Sequence, residues 1–256
     1  MNIVVCIKQV PDVTDIKWTK ENNLDRSNML SKLNTLDECA LDYAVDIMQR
    51  YKNVTITAYS MGPSQASEAL EYAVAKGASR AILLSDKLFS GSDTYITAKI
   101  LAIAIRKYTP DFDLILTGQA AADGDTEQTH ISIAQTLDVI DATSVTDIPN
   151  ADKHRVIAVQ NIGGEVNTYE LKTPCLIAVK KQCKTKYTPN IEDYIRAQNI
   201  KIETYNAEDL GFDKKEVGIQ GSPTMVAKAF RPVTEKNTVE ITENKTEKIL
   251  EFLLEG

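Results

Sequence analysis

The sequence predicts an α/β fold in which a parallel β-sheet carries helices on both faces and is extended at one edge by antiparallel strands. Three observations carry that prediction. Short, continuous apolar runs recur at Ile3 to Ile7, Val54 to Tyr59, Ala81 to Leu84 and Leu114 to Leu116, as expected of strands buried on both faces. Each run is followed by a stretch of helical period with its own start signal, so the order is strand, helix, strand, helix. After Ile140 the pattern changes to two strand-like segments flanking Gly163-Gly164, the composition of a hairpin turn.

Taken in order, the first helix follows Asn34, a residue suited to capping. Asp37 and Glu38 favour the positive helix end, and Leu36, Ala40, Ala44, Ile47 and Met48 recur at helical spacing. Ser64 precedes Ala66, Leu70, Ala73 and Val74, and Gly77 closes that helix. Ser92 precedes a third helix through Ile96, Ile100, Ala104 and Ile105, and Asp125 a fourth through Ile131, Ala134 and Leu137. His154 to Gln160 and Glu165 to Lys172 form the hairpin arms, and Cys175 to Val179 adds an apolar strand. Beyond Lys180 the chain turns polar: a short helix is expected near Ile191 to Gln198, a strand ending at Tyr205, and an extended arm over Gly211 to Thr224. The tail from Thr246 to Leu254, with Ile249, Leu250, Phe252 and Leu253, reads as an amphipathic helix.

Composition narrows the function. The 256 residues suffice for a core without disulfide staples. A net charge of -7 with no basic stripe argues against nucleic acid, because phosphate neutralisation needs clustered cations. No apolar run approaches the ~20 residues of a membrane span. Met1 to Val10 enters a strand pattern without a basic leader, so a cytoplasmic location is expected. The four cysteines, at 6, 39, 175 and 183, form no CxxC pair and have only His130 and His154 to assist them, which argues against zinc or iron–sulfur. Buried reduced thiols are expected for at least Cys6 and Cys39.

Ligands of open parallel sheets sit beyond the carboxyl ends of the strands. That nominates the loops 8–34, 60–64, 85–94 and 118–128. The last, Gly118-Gln119-Ala120-Ala121-Ala122-Asp123-Gly124-Asp125-Thr126-Glu127-Gln128, is the most informative. Its small residues allow close backbone approach, the following helix start offers N–H groups to a phosphate, and Thr126 and Gln128 add neutral donors. The competing reading is that Asp123 and Asp125 cap the helix while Gly124 makes the turn. No G-x-G-x-x-G, Walker lysine loop or G-x-S-x-G elbow is present. His130, inside the fourth helix, reads as structural.

The residues that carry a family resemblance run along almost the whole chain. They are Asn2 to Asp12, Leu33-Asn34, Ser60-Met61-Gly62-Pro63, Gly77-Ala78, Leu83-Leu84-Ser85-Asp86, Gly91-Ser92-Asp93-Thr94, Gln119 to Gln128, and Gly221-Ser222-Pro223-Thr224. In these the chain resembles the beta subunit of electron-transfer flavoproteins. The resemblance implies an adenine-nucleotide-binding fold and an electron carrier acting within a heterodimer with an alpha subunit.

Conventional members hold AMP in this subunit. Bifurcating members hold FAD, which takes electrons from NADH and divides them between the alpha-subunit flavin and a low-potential acceptor such as ferredoxin or flavodoxin. The Asp123-Gly124-Asp125-Thr126 wording, Asp37 and Gly221 to Thr224 are similar to the bifurcating branch, so FAD is expected, with AMP the alternative. An ATP-hydrolysing or adenylating relative is disfavoured, because no Ser-Gly-Gly loop follows the first strand.

By the same resemblance, Cys6, Asn34, Met61 and Gly62 line the nucleotide, and Asp123, Gly124, Asp125, Thr126, Gln128 and Thr129 hold its pyrophosphate. Ser92, Asp93 and Thr94 meet the larger FAD. The implied division is a nucleotide-binding base over residues 1–186 and a segment over 187–256 that faces partners, with a recognition loop, an arm and a helix packing on the alpha subunit. In that loop Tyr187 and the anchor Ile191 meet an acceptor dehydrogenase, with Lys180, Lys181, Lys184, Lys186 and Arg196 nearby.

Overall fold

The structure, a computed structural model, describes residues 1–12, 31–180, 183, 186–225 and 244–254. Most of the 8–34 loop, and Lys181 and Lys184, therefore lie outside the described residues.

The first part alternates as the sequence predicts: β1 (Asn2–Cys6), a small pair β2 (Gln9–Pro11) and β3 (Ser31–Leu33), α1 (Thr35–Arg50), β4 (Thr55–Met61), α2 (Ser67–Lys76), β5 (Arg80–Leu84), α3 (Thr94–Tyr108), β6 (Leu114–Gly118) and α4 (Thr129–Leu137). Then follow β7 (Ile140–Ala151), β8 (Arg155–Ile162), β9 (Glu165–Lys172), β10 (Cys175–Val179), α5 (Ile191–Ala197), β11 (Glu203–Tyr205), α6 (Gly218–Gly221) and α7 (Lys245–Leu254). Nine strands form one sheet in the order β11-β5-β4-β1-β6-β10-β7-β8-β9. The pairings from β11 to β7 are all parallel, and β8 and β9 add antiparallel.

The continuous apolar runs arise because both faces are covered. Successive side chains point to opposite sides of a strand. In β1, Ile3 and Val5 join the core under α1 and α2, while Val4 and Cys6 join the core under α3 and α4. The hairpin turns at Gly163 and Gly164, whose φ values of 60° and 91° are those of a two-residue turn matched to strand twist.

Three expectations change. The strand at Cys175–Val179 does not extend an antiparallel edge; it inserts parallel between β6 and β7, which explains its complete burial. The polar segment Ile140–Ala151 is itself a strand, bulged at two points, so it shows no clean alternation. The segment Gly211 to Thr224 is no extended arm. Phe212 and Val217 are buried against the α3 face, the short α6 follows, and Thr224 hydrogen-bonds Asp93.

Cys6 and Cys39 are buried thiols, as expected, and Cys175 and Cys183 are buried too. No described helix is long and apolar enough to cross a membrane.

Helices α1 and α2 are joined by a buried ion pair. The Lys76 ammonium, wholly buried, bonds the equally buried Asp42 carboxylate and approaches Glu38 at 3.5 Å. Removing one partner of a buried pair leaves a charge without compensation. Asp42→Ala is therefore expected to cost about 3 kcal/mol, read as a lowered urea midpoint. A midpoint equal to wild type would show that Glu38 alone suffices for Lys76.

Candidate functional site

The chain leaves β1 for α1 on one face of the sheet and leaves the adjacent β6 for α4 on the other. Between such strands a crevice opens beyond their carboxyl ends. Here it is a cleft of about 830 Å³ floored by the ends of β1, β4, β5 and β6.

Asp37 braces the floor. Its carboxylate accepts the Lys8 amide just past β1 at 2.8 Å and the Gly118 amide at the end of β6 at 3.0 Å. Burial pushes its pKa up to about 7, against the pull of hydrogen bonds from Asn34, Lys8 and Gly118. Gly118 is required by proximity: a Cβ there would stand 2.4 Å from an Asp37 carboxylate oxygen and 2.7 Å from backbone of the helix start.

The loop after β6 is fixed by distant partners rather than by helix capping. Asn34 makes no side-chain cap to α1. Its Nδ2 instead donates to the Ala120 carbonyl at 2.8 Å, and its Oδ1 accepts the Ala122 amide. Lys8 Nζ bonds both oxygens of Asp123, at 2.7 and 2.8 Å. The Gln119 side chain accepts the Ser144 amide and donates to Glu127, and its backbone amide bonds the Val179 carbonyl.

Asp123 and Asp125 do not cap α4. That helix begins at Thr129, and Gln128, at its cap position, gives no side-chain cap. The first amides of α4 thus have neither an intrahelical acceptor nor a side-chain cap, and Thr129 and His130 at this end line the cleft.

The other helix start is also displaced. Asp93, not Ser92, caps α3 by accepting the Ile96 amide. Burial works against the Asp93 charge, but the Ile96 and Thr224 amides and the Thr224 hydroxyl hold its pKa below the usual carboxylate value. Ser92 donates to the Phe89 carbonyl and accepts the Gly218 amide.

Of the residues nominated for the nucleotide, the structure brings together on this cleft Cys6, Met61, Gly62, Ser92, Asp93, Thr94, Asp123, Gly124, Asp125, Thr126, Gln128 and Thr129. Asn34 stands behind the loop and reaches the cleft only through it. Lys8, Asp37, Thr117, Gln119 and His130 also line it; the sequence placed Lys8 and Gln119 in candidate loops and Asp37 in the resemblance, but assigned none of the five to the nucleotide. Lys8 and Asp37 flank the opening strand and helix start, so their position was the available signal; Thr117 and His130 look like core.

Two buried polar atoms of cleft-lining residues, Thr117 Oγ1 and His130 Nε2, have no partner among the described residues. The uncapped amides at the start of α4, beside the cleft, fit a phosphorylated ligand. Cys6 offers no nucleophile, since burial and the nearby Asp37 push its pKa up to about 12.

The nominated partner residues lie elsewhere. The Tyr187 hydroxyl donates to Asp193 at 2.6 Å, and Asp193 completes a capping box with Asn190 at the start of α5. Tyr187 is partly buried against the core. Ile191 is 79% exposed, and Tyr194 and Ile195 beside it are also exposed, so Ile191 and Ile195 do not form an inner helix face.

A largely parallel sheet with a cleft at its switch point defines the open α/β class, and comparison with known proteins narrows it. Residues 22–210 match the electron transfer flavoprotein domain, and the chain belongs to the electron transfer flavoprotein family. It is 39% identical to the electron transfer flavoprotein subunit beta of Thermoanaerobacterium thermosaccharolyticum, covering 92% of this chain and 90% of that one. It is 36% identical to the caffeyl-CoA reductase-Etf complex subunit CarD of Acetobacterium woodii, over 91% and 88%, and 36% identical to protein FixA of Sinorhizobium fredii, over 94% and 87%.

The brace at Asp37 predicts a pH signature. A carboxyl whose folded pKa is raised gives stability that is complete below its unfolded value and is lost as pH rises through the folded one. In Asp37→Asn the amide NH2 faces one of the two backbone donors, so the variant is less stable by about 1–3 kcal/mol. That deficit should be largest near pH 4 and shrink as pH rises to about 7. Urea titrations of both proteins across this range check it; a deficit that grows with pH would contradict it.

Proposed function

We propose that this chain is the beta subunit of an electron-bifurcating electron-transfer flavoprotein, with FAD in the cleft and an alpha subunit as its permanent partner. The observation that carries the reading is the reach of the cleft. It runs from the Asp123 to Thr129 loop across the strand ends to Ser92, Asp93 and Thr94 at the start of α3, about 830 Å³ in all, near the upper end for small-molecule sites. AMP, the alternative, would occupy the loop side and leave the α3 side empty.

The bound flavin would supply electron uptake from NADH and release to the alpha-subunit flavin and to ferredoxin or flavodoxin. The chain's residues do the holding. The uncapped amides of α4 would hold the pyrophosphate, Lys8 fixes the loop through Asp123, and Asp93 fixes the α3 end through Thr224. Cys6 and Met61 provide an unreactive wall.

The flavin content of the purified heterodimer tests the reading. Two flavins per heterodimer support it, whereas one flavin and one AMP support a conventional subunit. Gly124→Val tests the loop. A Cβ at Gly124 meets nothing within 4 Å among the described residues, and its φ is not left-handed, so the substitution is expected to leave the fold alone and to obstruct a ligand. Nucleotide bound to the beta subunit should fall at least about tenfold, a loss of 1.4 kcal/mol or more, with unchanged melting of the nucleotide-free protein. Full nucleotide content would contradict the loop's role.

The exposed face of α5 is read as the docking point for an acceptor dehydrogenase, with Ile191 as anchor and Lys186 and Arg196 as flanking cations. Burying one aliphatic side chain is worth roughly 1.5–3 kcal/mol. Ile191→Ala should therefore weaken docking about ten- to a hundredfold while nucleotide content stays unchanged. Equal affinity in a titration of the acceptor would remove Ile191 from the interface.

A further inference from the structure

One wall of the cleft is held by a distant part of the chain. That wall, Ser90 to Thr94, leads into α3, and residues 217–224 bind it. The cleft's described lining includes none of residues 217–224, so they act on the wall from outside the cleft.

The attachment is specific in bonds and in shape. The Ser222 hydroxyl accepts the Asp93 amide at 2.9 Å while donating to the Gly218 carbonyl at 2.7 Å. Thr224 donates twice to Asp93 Oδ2, from its amide at 3.0 Å and its hydroxyl at 2.8 Å, while Oδ1 caps α3 by accepting the Ile96 amide at 3.0 Å. The Gly218 amide donates to Ser92 Oγ at 3.2 Å. Two glycines permit the approach: a Cβ at Gly91 would collide with the Ile219 side chain, and one at Gly218 with the Leu88 carbonyl.

The opposite side of the cleft is held by other residues. Asn34, Lys8 and Gln119 fix the loop after β6. A ligand that stays near that loop meets their work alone, whereas one that spans the cleft to the start of α3 also meets the wall held by Ser222 and Thr224.

We propose that Ser222 and Thr224 are positioning residues that fit the cleft to a dinucleotide: by holding Asp93 and Ser92 they set the wall against which the part of FAD beyond its AMP moiety lies. AMP, confined to the loop side, is indifferent to them. This rests on the FAD reading of the cleft.

The strength of the attachment suits the task. A hydrogen bond to a carboxylate is charge-assisted and stronger than a neutral one, and binding groups must be held within about 0.5 Å of the productive geometry. Without the Ser222 hydroxyl the Asp93 amide loses this acceptor, and without the Thr224 hydroxyl Asp93 Oδ2 has one donor fewer.

The test uses the chain paired with its alpha subunit, with the alpha flavin in place and the beta-subunit nucleotide removed, titrated with AMP and with FAD. In the double variant Ser222→Ala, Thr224→Val, FAD affinity should fall about tenfold and AMP affinity should be unchanged. Thr224→Ser keeps the hydroxyl donor and should bind FAD as wild type does. A loss shared equally by AMP and FAD marks a merely structural role and overturns the inference, as does undiminished FAD affinity in the double variant.

Amide hydrogen exchange in wild type gives a readout that needs no variant, and it decides alone if the double variant unfolds. FAD should slow exchange at Asp93, Gly218 and Thr224, and AMP should not. Because Gly218 and Thr224 lie outside the cleft lining, their protection reports the wall and not contact with the ligand. FAD binding without that protection, or equal protection by AMP, overturns this inference alone. A wild type that binds AMP but not FAD overturns the FAD reading and this inference with it.

Discussion

The cleft depends on one carboxylate. Where β1 and β6 end, the chain departs to opposite faces of the sheet, and two backbone amides lose the neighbours that a continued ladder would supply. Buried amides of this kind must find acceptors. Asp37, delivered by the first turn of α1, takes both. The geometry is so close that position 118 admits no side chain. The price is a buried acid whose ionisation is disfavoured, and it is set where the sheet must open for a ligand to enter.

From this brace the rest of the site follows outward. Asn34, just before α1, holds Ala120 and Ala122, and Lys8, just after β1, holds Asp123. The loop after β6 is thus shaped by the β1 to α1 connection and by β7 through Gln119 and Ser144, more than by its own turn residues. Asp125 and Glu127 both adopt positive φ, 45° and 52°. Strain of that kind persists where surrounding contacts over-determine the backbone.

Much of the fold was legible because physics that acts locally wrote it. Strands covered on both faces need unbroken apolar runs, which β1, β4, β5, β6 and β10 show, and a tight hairpin needs the left-handed pair at Gly163 and Gly164. The cleft's location was legible too, since strand–helix alternation fixes which ends carry loops. Long-range partners were not legible. Asn34 looks like a cap but its side chain serves a loop 86 residues away. Ser92 looks like a cap but Asp93 performs that task. Strand β7 shows no strand signal because its bulges and Thr, Ser and Asp content break the alternation that marks a strand. The 211–224 segment reads as an arm because only two isolated apolar side chains, Phe212 and Val217, mark its docking, with the remaining ties being long-range hydrogen bonds to Ser92 and Asp93.

The insertion of β10 between β6 and β7 orders events as the chain leaves the ribosome. Strands β7, β8 and β9 emerge first and form a meander, but β7 has no partner in the parallel sheet other than β10. That meander cannot attach until residues 175–179 are made, and meanwhile the open side of β6 is an unpaired edge. Vectorial synthesis therefore leaves a waiting period of about 35 residues, roughly 2–7 seconds at ordinary elongation rates. During it the half-built sheet offers its β6 edge to any strand at hand, and a chaperone has its clearest opportunity to cover it.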